Sequence, residues 1–222
     1  MPWEDRPYGE SGSGKSTLVN LIPRCYDAAS GQVLVDGTDV KEYSLDELRD
    51  KTGVVPQKSV LFKGTLRDNM RWGKQDASDE EIYRALDTAQ AREFVDSKGE
   101  GLDLYIDQGG HNLSGGQRQR LTIARALVRR PEILIMDDSA SALDFATDAR
   151  LRKAIRENTG DMTVFIVSQR ATTIKSADTI LVLDEGRLAG MGTHKELLKD
   201  CQVYREICLS QLSKEEVERD EQ

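Results

Sequence analysis

The sequence predicts an α/β protein built on a parallel sheet, with an inserted helical lobe, and three observations carry this expectation. The phosphate-loop pattern Gly9-Glu10-Ser11-Gly12-Ser13-Gly14-Lys15-Ser16 leads into a helical stretch, as such loops do in this fold class. Three short apolar runs at residues 133–136, 163–167 and 179–183 are separated by helical patterns. That alternation implies buried parallel strands with helices on the faces of the sheet. From about Thr65 to Leu127 the pattern is mostly helical, interrupted by Gly/Asp-rich stretches at residues 72–78 and 97–110, which reads as a separate helical lobe.

The remaining elements follow in order. Residues 16–22 read as a helix whose N-terminus faces the phosphate loop and which ends near Pro23. Val33-Leu34-Val35, Asp36-Gly37 and Thr38-Asp39-Val40 read as a strand and a tight turn. Gly53-Val54-Val55 is a short strand stopped by Pro56. Asp184-Glu185-Gly186-Arg187 is a turn, and residues 194–198 start a closing helix. The stretch 214–222 is so charged that it is expected to fray. There is no internal repeat and no low-complexity segment.

A chain of 222 residues suffices for one large domain or two small lobes around a substantial core. With Lys+Arg at 31 against Asp+Glu at 39, the net charge is −8. This disfavours a general nucleic-acid binder, whose affinity rests on neutralising phosphates. Arg118, Arg120, Arg125, Arg129 and Arg130 form a local cluster, expected to be a solvated helix face rather than a basic patch. Cys25, Cys201 and Cys208 show neither CxxC spacing nor an even count, so the expectation is a reducing cytosol without a disulfide framework or zinc site. No apolar run approaches the roughly 18 residues of a membrane span. The first residues lack the apolar core of a signal peptide.

In the phosphate loop, the glycines let backbone N–H groups curl around phosphates, Lys15 reaches the terminal ones, and the Ser16 hydroxyl, followed by Thr17, can hold Mg²⁺. Downstream lies Leu113-Ser114-Gly115-Gly116-Gln117. Ser114 opens a helix whose N-terminal N–H groups suit an anion. Together the two segments resemble the Walker A and signature motifs of the ATP-binding cassette (ABC) family, whose nucleotide-binding domains close head to tail on two ATP molecules. The continuation Val60-Leu61-Phe62-Lys63-Gly64-Thr65-Leu66-Arg67-Asp68-Asn69 resembles ABC exporters, in particular multidrug half-transporters, and extends the likeness from Gly9 to about Ser210.

The resemblance implies roles for further residues. Ile133 to Asp138 is similar to a Walker B strand, in which Asp137 positions Mg²⁺ and Asp138 polarises the attacking water. A buried strand ending in solvated aspartates is the plainer alternative. Ser141-Ala142-Leu143-Asp144 stands at the place of the D-loop, where Asp144 also suits a helix N-cap. Gln57 resembles the Q-loop glutamine that contacts Mg²⁺ and water. Gly9, Glu10, Ser11, Gly12, Ser13, Gly14, Lys15, Ser16 and Thr17 would then bind ATP. Ser114, Gly115, Gly116 and Gln117 would engage the γ-phosphate held by a partner subunit.

Three departures modify this expectation. The family has Glu where this chain has Asp138, one methylene shorter, so the carboxylate falls short of its water by about 1 Å or more. At the switch position the family's His is Gln169, which hydrogen-bonds but carries no proton, and the histidines His111 and His194 lie elsewhere. Both changes fall in one nucleotide site while the signature is intact, resembling the degenerate subunit of heterodimeric bacterial exporters. Finally, Glu4-Asp5-Arg6-Pro7 is unsuited to the apolar strand that should carry the phosphate loop, and Trp3 and Tyr8 sit too near the loop to stack on adenine. An N-terminally incomplete domain is the expectation.

The sequence therefore predicts a P-loop NTPase (RecA-like) core over about 9–64 and 128–212, a helical ABC signature subdomain over about 65–127 and a charged tail at 213–222. The expected function is the ATP-binding, weakly hydrolytic subunit of an exporter, with ATP and Mg²⁺ as ligands. Expected partners are a second nucleotide-binding domain, in a heterodimer, and a transmembrane domain at the cytoplasmic face of the membrane; no nucleic acid is expected. The alternatives are a non-transport ABC ATPase of DNA repair or translation, or a remnant that does not bind ATP.

Overall fold

The structure, a computed structural model, describes residues 13–139 and 142–221. Its described residues divide into two compact units, one within 19–169 and the other formed by 13–18 together with 170–221.

After the phosphate loop comes α1 (Lys15–Val19), shorter than its apolar pattern suggested. The chain leaves it through turns closed by Ile22, Arg24 and Cys25 N–H groups. β1 (Leu34–Val35) and β2 (Thr38–Asp39) form a hairpin around Asp36 and Gly37. Both turn residues have positive φ, 50° and 78°, the backbone twist that two-residue hairpins need. α2 (Leu45–Lys51) starts at a capping box between Ser44 and Glu47 and runs into β3 (Thr52–Val55).

β4 (Gly64–Thr65) pairs antiparallel with β5 (Tyr105–Ile106). Between and after them lie α3 (Leu66–Arg71), α4 (Asp79–Thr88), α5 (Arg92–Ser97) and α6 (Gly115–Leu127). β6 (Ile133–Asp137), α7 (Phe145–Asn158) and β7 (Thr163–Val167) complete the unit. The expected parallel sheet is present as β3-β6-β7. One apolar cluster joins its Val55, Leu134 and Met136 to Met70, Ile82, Leu86, Leu121 and Ile123 of the helices, all nearly or wholly buried.

The arginine cluster differs from its expectation. Arg118 donates to the Gly110 and Leu113 carbonyls, Arg120 to Gln90, Arg125 to Val60, and Arg129 to Gly73 and Arg49. These guanidiniums are half-buried rather than solvated. Their function is structural: the guanidiniums tie α6 and the residues after it to backbone carbonyls of loops and, at Arg49, of α2. Only Arg130 lies exposed.

The second unit holds α8 (Ala171–Ile174), β8 (Ile180–Asp184), β9 (Arg187–Gly192), α9 (His194–Asp200), α10 (Gln202–Gln211) and α11 (Lys214–Glu221). The third apolar run, expected among the parallel strands, instead pairs antiparallel with β9. Glu185 and Gly186 at φ 45° and 74° close that hairpin, and a two-residue turn of this kind makes a local antiparallel partner the nearest one. The terminal stretch expected to fray is helix α11. Ser213 and Glu216 cap it reciprocally, and Val217 docks in an apolar cluster with Leu198, Tyr204 and Cys208. One buried side chain and a capping box outweigh the charge of its other residues. Among the described residues no helix is long and apolar enough to cross a membrane.

Candidate functional site

Parallel pairing sets β3, β6 and β7 with their carboxyl ends at one edge, with Val55 opposite Met136 and Asp137 opposite Val167. In α/β sheets this edge is where ligands bind. Gln57 follows β3 by two residues, Asp137 ends β6 and Asp138 follows it, and Gln169 follows β7 by two residues. Three widely separated segments thus bring their predicted functional residues to one edge. Gln57 Nε2 donates to Asp138 Oδ2 at 3.4 Å. Asp138 takes φ 44°, in the left-handed region that Asp tolerates better than most residues. Its N–H is held by the Val167 carbonyl at 2.9 Å. Asp137 and Asp138 are half-buried, and Gln57 and Gln169 are exposed.

Of the phosphate loop, Ser13 onward is described; Gly9, Glu10, Ser11 and Gly12 lie outside the described residues. Gly14 has φ 83°, a conformation that side chains disfavour, and its carbonyl accepts the Leu18 N–H at the start of α1. Lys15 Nζ turns back to donate to Ser13 Oγ. Ser16 and Thr17 are exposed on the first turn.

Ser114 is the N-cap of α6, with the β-region backbone that caps prefer. Its Oγ accepts the Gln117 N–H at 3.2 Å, and Gln117 Oε1 accepts the Ser114 N–H at 3.0 Å. The motif's outer residues therefore form a capping box, leaving Gly115 and Gly116 in the first turn. A Cβ on Gly116 would lie 3.4 Å from the Ala142 carbonyl oxygen, so the glycine lets the next loop approach closely. Asp144 performs the capping role foreseen for it, its Oδ1 accepting the Thr147 N–H at 2.9 Å. That backbone hydrogen bond, with a further one to the Thr147 side chain, holds its carboxyl below the usual range. Ser141 lies outside the described residues.

Sequence reasoning missed how the loop after Gln57 is tied to α6. Ser59 Oγ hydrogen-bonds the nearly wholly buried Gln119 side chain, and Arg125 donates to the Val60 carbonyl at 2.9 Å. Arg125 also lies 5.5 Å from the Phe62 ring centroid, and Phe62 packs on Trp72 at 4.8 Å. A polar Gln at a core position of a helical pattern was the available signal.

The donors present suit ATP and Mg²⁺. Gly14 at φ 83° opens the loop backbone to a close-approaching group, and the hydroxyl, carboxylate and amide oxygens of Ser16, Asp137 and Gln57 are hard ligands of the kind Mg²⁺ takes. Among the described residues no cluster of three His, Cys, Asp or Glu exists. Mg²⁺ typically completes its shell with substrate phosphates and water instead.

A parallel sheet following a phosphate loop, with a helical segment bearing Ser114, has the P-loop NTPase fold of the ABC type. The model of the ABC transporter family matches residues 8–141, and the chain belongs to this family. It is 49% identical over 206 residues to an uncharacterized ABC transporter ATP-binding protein of Mycobacterium bovis, covering 91% of this chain and 35% of that protein. It is 43% identical over 206 residues to an ATP-dependent lipid A-core flippase of Haemophilus influenzae, covering 92% of this chain and 35% of that one. A bacterial Atm1-family ABC exporter solved with ATP bound superposes with a TM-score of 0.87 at 39% identity, covering 93% of this chain and 36% of its own. The chain thus spans about a third of the length of the relatives it matches.

Proposed function

We propose that this chain is the ATP-binding part of an ABC exporter, and that its own nucleotide site hydrolyses ATP weakly. The observation that carries this reading is the convergence of Gln57, Asp138 and Gln169 at the carboxyl edge of β3-β6-β7, with Gln57 on Asp138 at 3.4 Å. Lys15 and the loop amides would bind the phosphates; Ser16 would be the Mg²⁺ donor of the phosphate loop, and Asp137 and Gln57 those of the sheet edge, and Mg²⁺ would neutralise phosphate charge when bound. Gln57 orients Asp138, whose carboxylate accepts a hydrogen bond from water. Gln169 hydrogen-bonds at the switch position but takes no proton.

Ser114, Gly115, Gly116 and Gln117 complete the site of a second nucleotide-binding domain, which performs most of the turnover in a heterodimer. The helical segment over about 65–127 transmits closure to a transmembrane domain at the cytoplasmic face of the membrane. A relative named an ATP-dependent lipid A-core flippase and the matching Atm1-family exporter support the export reading. The test is Mg·ATP binding and turnover by this chain. Binding is expected to vanish in Lys15→Ala, and turnover to be slight. Robust turnover abolished by Asp138→Ala overturns the weak-site reading, and binding indifferent to Lys15 overturns the assigned phosphate site.

A further inference from the structure

α8 begins two residues after Gln169, and the Arg170 side chain at its N-cap position makes no capping bond. α5 and α10 likewise have no side-chain cap, whereas α2, α3, α4, α6, α7 and α9 are each capped by the residue just before them, Ser44, Thr65, Ser78, Ser114, Asp144 and Thr193. For α8 the acceptor comes from 40 positions downstream, where Gln211 Oε1 takes the Ala171 N–H at 2.9 Å. Gln211 is the last residue of α10.

The other end of α8 is held from the same direction. Lys175, its C-cap, places Nζ 3.4 Å from Asp220 Oδ2 on α11. Asp220 also faces His194 Nε2 at 3.4 Å, and His194 Nδ1 lies 2.8 Å from the Tyr204 hydroxyl. Ala171 is wholly buried, in one apolar cluster with Leu198, Tyr204, Cys208 and Val217. A helix of four residues is too short to persist on its own hydrogen bonds. Its form and place therefore depend on α9, α10 and α11.

We infer that Gln211 is a positioning residue for the switch position, anchoring the backbone that leaves Gln169 so that the Gln169 carboxamide is presented in one place when ATP binds. The inference rests on the nucleotide-binding reading above. The C-terminal helices then act as a clamp on the switch segment. Removing the Gln211 acceptor leaves a buried N–H unsatisfied at the first residue of α8.

The test is amide hydrogen exchange of the whole chain, without and with Mg·ATP, in wild type, Gln211→Leu and Gln211→Glu. Without nucleotide, Gln211→Leu is expected to exchange about five- to tenfold faster over residues 170–174. β6 and β7 should be unchanged, and Gln211→Glu, which keeps an acceptor oxygen, should restore protection. Mg·ATP should add protection over residues 168–174 in wild type and Gln211→Glu but not in Gln211→Leu, at equal ATP affinity. Unchanged exchange of residues 170–174 in Gln211→Leu, failure of Glu to rescue, or equal ATP-induced protection in all three overturns the inference. A wild-type chain that binds no ATP defeats the functional reading instead, and the nucleotide-free exchange then decides the clamp alone.

Discussion

Gln57 Nε2 donates to Asp138 Oδ2 at 3.4 Å across 81 positions of sequence. The loop leaving β3 thereby holds the carboxylate just past β6, and Asp138 is in turn fixed at φ 44° by its N–H on Val167. A long, weak hydrogen bond of this kind leaves the carboxylate able to turn toward water, yet its reach is that of an aspartate. Lengthening it and restoring a proton carrier should therefore act together. In the assembled transporter, Asp138→Glu with Gln169→His is expected to raise ATP turnover at this site by up to about 10²-fold. Steady-state phosphate release checks this, and no gain from the double substitution argues against Asp138 as the limiting group.

Arg129 supplies a stability prediction. It donates to the Gly73 carbonyl at 2.8 Å and to the Arg49 carbonyl at 2.6 Å, joining a loop to the last turn of α2. Arg129→Ala leaves both acceptors without this partner and is expected to cost about 1–3 kcal/mol. Arg129→Lys should recover little, because one ammonium does not span both carbonyls as a planar fork does. Urea unfolding of the three proteins measures this.

Acid should loosen several helix starts at once. Hydrogen bonds from Ser44, Thr193 and Ser213 hold Glu47, Glu196 and Glu216 below the ordinary glutamate pKa, and Lys74 followed by Ser78 does so for Glu81. A carboxylate whose pKa is lower folded than unfolded contributes stability that is present above its ordinary pKa and lost as pH falls through the lowered one. Stability should therefore be flat above about pH 5 and decline below about pH 4. A circular-dichroism titration with constant helicity down to pH 3 contradicts this.

Much of the fold is legible in sequence because the signals are local. Residues 133–137 and 163–167 are apolar runs between helices, and they pair in parallel as that alternation requires. The site edge was legible for the same reason: Gln57, Asp138 and Gln169 each sit just past a strand end. Nonlocal partners left no such mark. The Glu185-Gly186 turn gave residues 180–184 an antiparallel neighbour, and the docking of Val217 kept α11 helical against its charge. Carbonyls offered by distant loops took up Arg120, Arg125 and Arg129. Gln211 caps α8 from 40 positions away, and no pattern of period or spacing encodes that.

The division of labour between this chain and its proposed partner is tested by comparing Ser114→Asp with Asp138→Asn in the assembled transporter. Asp is a favoured N-cap, so Ser114→Asp keeps α6 closed by the bond that Ser114 now makes to Gln117. Its negative charge, however, faces any γ-phosphate brought to the helix start. Asn tolerates the positive φ of Asp138 and removes only the charge. Transport assayed in membrane vesicles is expected to be nearly abolished by Ser114→Asp and to fall only modestly with Asp138→Asn. Equal loss in both variants contradicts the asymmetric account and indicates two equivalent sites in a homodimer.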